Sequence, residues 1–298
     1  MTVVSTSPLD QIADAPAKPS RRLRLKGVPW IPLTILTLVI IAAIGGDLIA
    51  PHDPGALNLG LAFRPPFWQA GGSFEYLLGT DNLGRDVLSR IIAGARVSAI
   101  VTIYAIIFSG AIGTLLGITA GYFGGIVDTV IVRVAEIKMA IPGLALALIL
   151  SATMEPGLST VIVVIVLTYW TWYARIIRSE ILSLRERDYV AYARVAGCGH
   201  GTIFLRHLLP NIFNTLLVLA TLQVGQVILF EASLSFLGLG IQAPDTSWGL
   251  MLADARQYIT HAWWGITMPG IAIMLTCLSS NLTGDWLRDL LDPKRRQL

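Results

Sequence analysis

Ionisable and amide side chains that interrupt long apolar runs are the first places to look for chemistry in this chain. One run carries Asp128, Arg133, Glu136 and Lys138 ahead of Pro142. A charge at mid-bilayer costs several kcal/mol, so such residues pair, reach the interface or line a hydrated path. Arg133 and Glu136 stand at i,i+3 and can pair on one helix face. For Lys138 three fates are open: snorkelling to the interface, pairing with an acid, or lining the mouth of a pore. Snorkelling costs least. Gln223 and Gln226 are also at i,i+3, and either face a hydrated path or hydrogen-bond between helices. Glu136, Lys138, Gln223 and Gln226 are therefore the candidate pathway residues.

Other chemistries find no support. His52, His200, His207 and His261 form no HxxxH or Cys/His cluster, so no protein-held metal is expected. Cys198 and Cys277 fall in a polar loop and an apolar run, which argues against a disulfide. None of the lysines, Lys18, Lys26, Lys138 and Lys294, stands in GxxxxGK[ST]. The chain thus lacks a Walker cradle, and no catalytic dyad or nucleophile motif replaces it, so it is not expected to be an enzyme.

The elements that must position these residues are membrane spans. Hydrophobic residues make up 54% and charged ones 14% of 298 residues, and the mean hydropathy is +0.67. Soluble domains carry about 25% charged residues. Six apolar segments approach the roughly 20 residues needed to cross a bilayer, at 29–50, 97–119, 127–152, 158–178, 211–231 and 263–284. Residues 1–27 read as a disordered basic cytosolic tail, and 28–298 as one six-span unit with an outer loop at 51–96. With the N-terminus inside, only Arg64, Arg85, Arg90, Arg96 and Arg256 of the 22 basic residues lie outside. The positive-inside rule then places both termini in the cytosol, and the net charge of +3 follows topology rather than nucleic acid. Tyr169, Trp170, Trp172 and Tyr173 suit an inner interface, and Trp263 and Trp264 an outer one. The long outer loops, 51–96 and 232–262, either meet something delivered from outside or cap the spans.

Between the fourth and fifth runs lies RDYVAYARVAGCGHGTIFLRHLLPN, a polar insert rich in Ala and Gly within the cytosolic loop 182–210. Asp188 suits a helix N-cap, 189–196 a short helix, and Gly197 its C′ residue. A second short helix, about 202–209, runs to Pro210, where a new helix starts. Small residues Ala191, Ala193, Ala196 and Gly197 let another protein approach closely. The pattern resembles the "EAA" coupling loop of ABC-importer permeases, with Ala191 at the position of the acidic residue that names the motif.

Two more stretches extend the likeness. In LGTDNLGRDVLSRIIAGARVS, Gly79, Asp81, Asn82 and Gly84 form a turn before an amphipathic helix over 86–96, suited to lying along the interface. In EASLSFLGLGIQAPDTSWGLMLADAR, Gly238 and Gly240 break a helix, Pro244 and Asp245 turn the chain, and Trp248 suits the outer interface. Together these resemble the dipeptide/oligopeptide/nickel permease family, particularly its C-type subunit. The resemblance implies an all-α integral membrane fold with six spans, the type I ABC-importer (MetI-like) domain, in a bacterial cytoplasmic membrane. It further implies a second homologous permease, two ABC ATPase subunits holding ATP and Mg, and an extracytoplasmic solute-binding protein. Asp188, Tyr189, Ala191, Ala193, Arg194, Gly197 and Pro210 would form the ATPase-coupling loop. Di- and oligopeptides are the default cargo, with nickel, glutathione or another small solute as alternatives. A carrier driven by an ion gradient explains the spans but not the loop.

Overall fold

A computed structural model describes residues 27–151 and 153–291. The tail expected over 1–27 lies almost wholly outside the described residues. The chain is helical throughout its apolar runs: α1 (Trp30–Ile49), α2 (Val87–Phe123), α3 (Gly125–Ala140), α4 (Gly143–Ser151), α5 (Leu158–Leu184), α6 (Asp188–Val195), α7 (His200–Thr202), α8 (Leu209–Phe236), α9 (Trp248–Ala255) and α10 (Trp264–Leu291).

Among the described residues, four continuous helices are long and apolar enough to cross a membrane: α2, α5, His200–Phe236 and α10. The run expected as a single span over 127–152 is a bent pair instead, with α3 and α4 meeting at 84°. The residue before proline is pushed out of the α region, and Ile141 is extended (φ −91°, ψ 120°) ahead of Pro142. The first run is a shorter apolar helix, Trp30–Gly46, interrupted near its end by the non-helical Gly46.

α2 and α5 form the centre of the bundle. Along α2, Gly113, Gly117 and Gly121 recur every fourth residue and so share one face. A Cβ at Gly113 would lie 2.3 Å from the Trp170 carbonyl oxygen, and one at Gly117 2.7 Å from that of Ala174. At Gly121 it would meet Ile181 at 2.8 Å. Lipid chains are as apolar as leucine, so helices in a bilayer associate through such close packing rather than through hydrophobic burial. The seam is tied at one end by polar contacts. Asp128 of α3 accepts two hydrogen bonds from Arg178 of α5, the Nη2 bond at 2.6 Å, and Arg185 Nη1 donates to the Gly121 carbonyl at 2.9 Å.

At the other end the sequence expectation is corrected. Residues 86–96 are not a separate interfacial helix but the first turns of α2, with Asp86 as N-cap accepting from the Ser89 backbone N–H at 3.0 Å. Val87, Ser89, Arg90 and Gly94 are all buried, so both faces are covered. A network of two acids and two arginines covers one of them: Arg85 and Arg90 each reach Asp81 (2.7 and 2.6 Å) and Asp254 of α9 (3.1 and 3.0 Å). On the other side His52 donates its backbone N–H to Ser89 Oγ at 3.0 Å, and its ring stands 3.4 Å from Asp86. Trp248 and Trp264, expected at the outer interface, are instead core residues, 2% exposed. Their indoles donate to the Ile91 and Thr80 carbonyls, each at 2.9 Å. The two long loops therefore cap the bundle and each other.

Two stability tests follow. Gly117→Val should force α2 and α5 apart and destabilise the detergent-solubilised chain by about 1–3 kcal/mol, an overpacking cost, read as a lowered Tm. Arg90→Met strips buried Asp81 and half-buried Asp254 of a partner and should cost about 3–5 kcal/mol, whereas a surface pair would cost under about 1. An unchanged Tm for Arg90→Met would show that the network is solvated and structurally idle.

Candidate functional site

The polar loop after α5 folds as two short helices around a glycine turn. Asp188 is the first residue of α6 rather than its N-cap, a position held by the extended Arg187. Its carboxylate still sits where the helix dipole favours negative charge. Gly197 closes α6 as expected, with φ +76°, which disfavours any side chain. The Gly197 N–H donates to the Arg194 carbonyl and that of Cys198 to the Ala193 carbonyl, both at 3.0 Å, the paired bonds of a Schellman cap.

No separate helix ends at Pro210. A π-helical stretch, Ile203–Leu208, carries α7 into α8 as one helix over His200–Phe236. Pro210 occupies the first turn of α8, where a missing N–H is least costly. Asn211 Nδ2 donates to the His207 carbonyl at 2.6 Å beside it.

The faces of α6 separate by exposure. Val190 and Ala193 are buried against Ile118, Ile181, Ile203 and Ile212, with Tyr189 half-buried beside them. Ala193 is thus part of the internal contact and not of the free surface. Ala191, Tyr192, Arg194, Val195, Ala196 and Gly197 are exposed, and Tyr192 (71%) and Val195 (87%) are large apolar groups on that surface. Apart from Arg194, whose guanidinium reaches the Tyr122 ring of α2, this face is left uncovered by the rest of the described residues.

The four candidate pathway residues do not form one site. Glu136 pairs with Arg133 at 2.7 Å, as the i,i+3 spacing suggests, and both side chains are exposed. The Lys138 ammonium is bonded to the Thr168 carbonyl of α5. That bond ties the end of α3, just before the 84° bend, to the central helix pair. Gln223 and Gln226 do converge. They line a cleft of about 300 Å³ with Tyr169, Trp172, Tyr173, Leu219, Leu222 and Asn281. Sequence reasoning placed the three aromatic residues in an interfacial belt and missed Asn281; the alternation of α5 and α8 faces that unites them is invisible among uniformly apolar neighbours. Gln223 Nε2 and Tyr173 Oη are buried without a hydrogen-bond partner among the described residues, as are polar atoms elsewhere in the bundle such as Thr114 Oγ1 and Tyr189 Oη.

An apolar helical bundle with an uncharged polar cleft and a capped two-helix loop at one end defines a membrane permease subunit. Comparison with known proteins makes this specific. Residues 113–297 match the family described as "Binding-protein-dependent transport system inner membrane component". The chain is 41% identical over 262 residues to the di/tripeptide transport system permease protein DppC of Pseudomonas aeruginosa, covering 88% of this chain and 86% of that one. It is 40% identical to the dipeptide transport system permease protein DppC of Haemophilus influenzae, with 90% of each chain covered. It is 39% identical to the nickel transport system permease protein NikC of Escherichia coli K12, covering 88% and 93%. Among solved structures, an inward-facing MetNI methionine ABC transporter aligns with TM-score 0.55 and 17% identity, over 68% of this chain and 96% of that one, a likeness of fold. The chain belongs to the binding-protein-dependent transport system inner membrane component family, and is a multi-pass permease subunit of an ABC importer with the type I fold.

Replacing Gln223 with Leu removes an unpartnered buried amide. It should leave Tm unchanged or raised, while uptake by the assembled importer falls up to about tenfold, the value of one hydrogen bond to a passing solute. Undiminished uptake in Gln223→Leu would remove the cleft from the path.

Proposed function

We propose that this chain forms, with a second homologous permease, the path by which di- and oligopeptides enter the cell. The observation that carries the reading is the cleft: amide, phenol and indole groups suit peptide carbonyls and varied side chains, and its lining bears no carboxylate, imidazole or thiol to trap an ion. Peptide transport by the DppC relatives supports it. The NikC relative supports a second reading, nickel carried as cargo within a chelate.

Energy comes from two ABC ATPase subunits, which hold ATP and Mg and dock on the exposed face of α6 around Ala191, Tyr192, Arg194 and Val195. Ala191 offers the ATPase a flat approach where an acidic side chain would offer a polar contact. The loop bearing α6 and both termini lie in the cytosol, as the distribution of basic residues supports. An extracytoplasmic solute-binding protein delivers cargo to the opposite end, where the loop before α2 leaves Phe67, Trp68 and Phe74 exposed. ATP-driven closure of the ATPases shifts the permeases between two packings a few kcal/mol apart, alternately opening the path outward and inward.

Purification of the tagged chain from native membranes should bring with it a second permease and Walker-motif ATPases, and the reconstituted assembly should import labelled dialanine in an ATP-dependent manner. Import of chelated nickel but not dialanine would overturn the peptide assignment. Gly197→Trp strains the turn by about 1–2 kcal/mol and puts an indole on the docking face, so it should abolish uptake while membrane insertion persists.

A further inference from the structure

The loop bearing α6 is covalently continuous with α5 and α8, so a push on it reaches those two helices directly. The structure adds a third. Tyr122, in the last turn of α2, is 8% exposed and is touched by both halves of the loop. From α6 the Arg194 guanidinium lies over its ring, 4.9 Å from the centroid. From α7 the His200 Nδ1 is 3.1 Å from its hydroxyl, and Phe204 packs edge-on at 4.9 Å. Neighbouring Phe123 repeats the engagement, with ring contacts to His200 at 5.4 Å and Phe204 at 5.9 Å. Face, edge and hydroxyl of the Tyr122 ring are thus each held by a different residue of the loop.

We propose that Tyr122 is a positioning residue of the transport cycle, the side chain through which movement of the α6–α7 loop is passed to α2. The proposal rests on the importer reading given above. A helix of 37 residues is about 55 Å long, and α2 spans the whole bundle. Its far end is fixed by Ser89 and Asp86 to His52 and by Arg90 to Asp81 and Asp254. A displacement entering at Tyr122 therefore arrives at the loops on the opposite side, where α5 has no comparable ion-pair anchor among the described residues. Across the glycine seam the α5 side chains of Tyr173, Ile177 and Ile181 seat against Gly113, Gly117 and Gly121, so α2 and α5 meet along one close-packed face.

The test uses the assembled importer, reconstituted with its partner permease, ATPases and binding protein, with dialanine as the transported probe. Tyr122→Leu keeps an apolar side chain but loses ring and hydroxyl, and should lower dialanine imported per ATP hydrolysed roughly fivefold, with ATP hydrolysis maintained. Tyr122→Phe keeps the ring and should lose roughly twofold, and His200→Ala should add nothing further in that background. A second readout needs no cargo. With Cys198 and Cys277 changed to Ser, spin labels are placed on Ile103→Cys in α2 and Gly201→Cys in α7, both exposed. With Tyr122 present the distance between labels should stay single and sharp when ATP is added; in Tyr122→Leu it should split or broaden. An intact Tyr122→Leu complex with unchanged import per ATP and an unchanged distance would overturn the proposal. A wild-type complex that hydrolyses ATP without importing dialanine would sink the peptide assignment instead, leaving Tyr122 to be judged by the distances.

Discussion

Backbone contact between α2 and α5 is the constraint on which the rest of this molecule depends. In water a helix pair is driven together by burying apolar surface, but in lipid that drive vanishes and contact must come from closeness. Gly113, Gly117 and Gly121 supply it by letting α2 reach the Trp170 and Ala174 carbonyl oxygens. Everything functional hangs from this pair. It sets the Tyr169–Tyr173 segment of α5 opposite Gln223 and Gln226, brings Tyr122 to the polar loop, and carries Arg90 to the far end. The Lys138 bond to the Thr168 carbonyl fastens the bent α3–α4 pair to the same scaffold.

Against that apolar background the polar groups divide by whether they are satisfied. Asp128 with Arg178, Asp81 and Asp254 with Arg85 and Arg90, and Asp86 with Ser89 are paired within the chain and fix helix ends, while Asp86 Oδ1 and Arg90 Nε are themselves without a partner among the described residues. Gln223 Nε2 and Tyr173 Oη are buried without a partner among the described residues, an arrangement unfavourable for stability. Nothing of this division depends on net charge, which is small. It depends on which side chains meet a complementary one.

How far the sequence could be read follows from the range of each signal. Helix α6 and its glycine stop were legible because caps and turns act over four or five residues, and Asp188, Gly197 and the alanines between them are adjacent in the chain. The six apolar runs were legible for the same reason. The bend at Ile141–Pro142 was signalled by its proline, yet a 26-residue apolar run obscured it. Long-range partners were not legible. Trp248 and Trp264 looked like interfacial residues because tryptophan favours that position, and only the carbonyls of Ile91 and Thr80, far away in sequence, reveal them as core. Residues 86–96 looked amphipathic because the arginines that resemble a wet face are answered by an acid on α9. The glycine seam passed unnoticed since in a membrane helix both the lipid face and the packed face are apolar, and hydrophobicity no longer distinguishes inside from outside.

The four-charge network also imposes an order on how the chain comes together. Arg90 and Arg85 are 164 and 169 residues away from Asp254 along the chain. During synthesis both arginines emerge long before it, with Asp81 as their sole carboxylate in the network. Until α9 is made the two arginines have only half of the carboxylates they meet in the finished network, and the indoles of Trp248 and Trp264 are not yet present to bond the Ile91 and Thr80 carbonyls. One end of α2 is thus completed only by residues that come late in the chain.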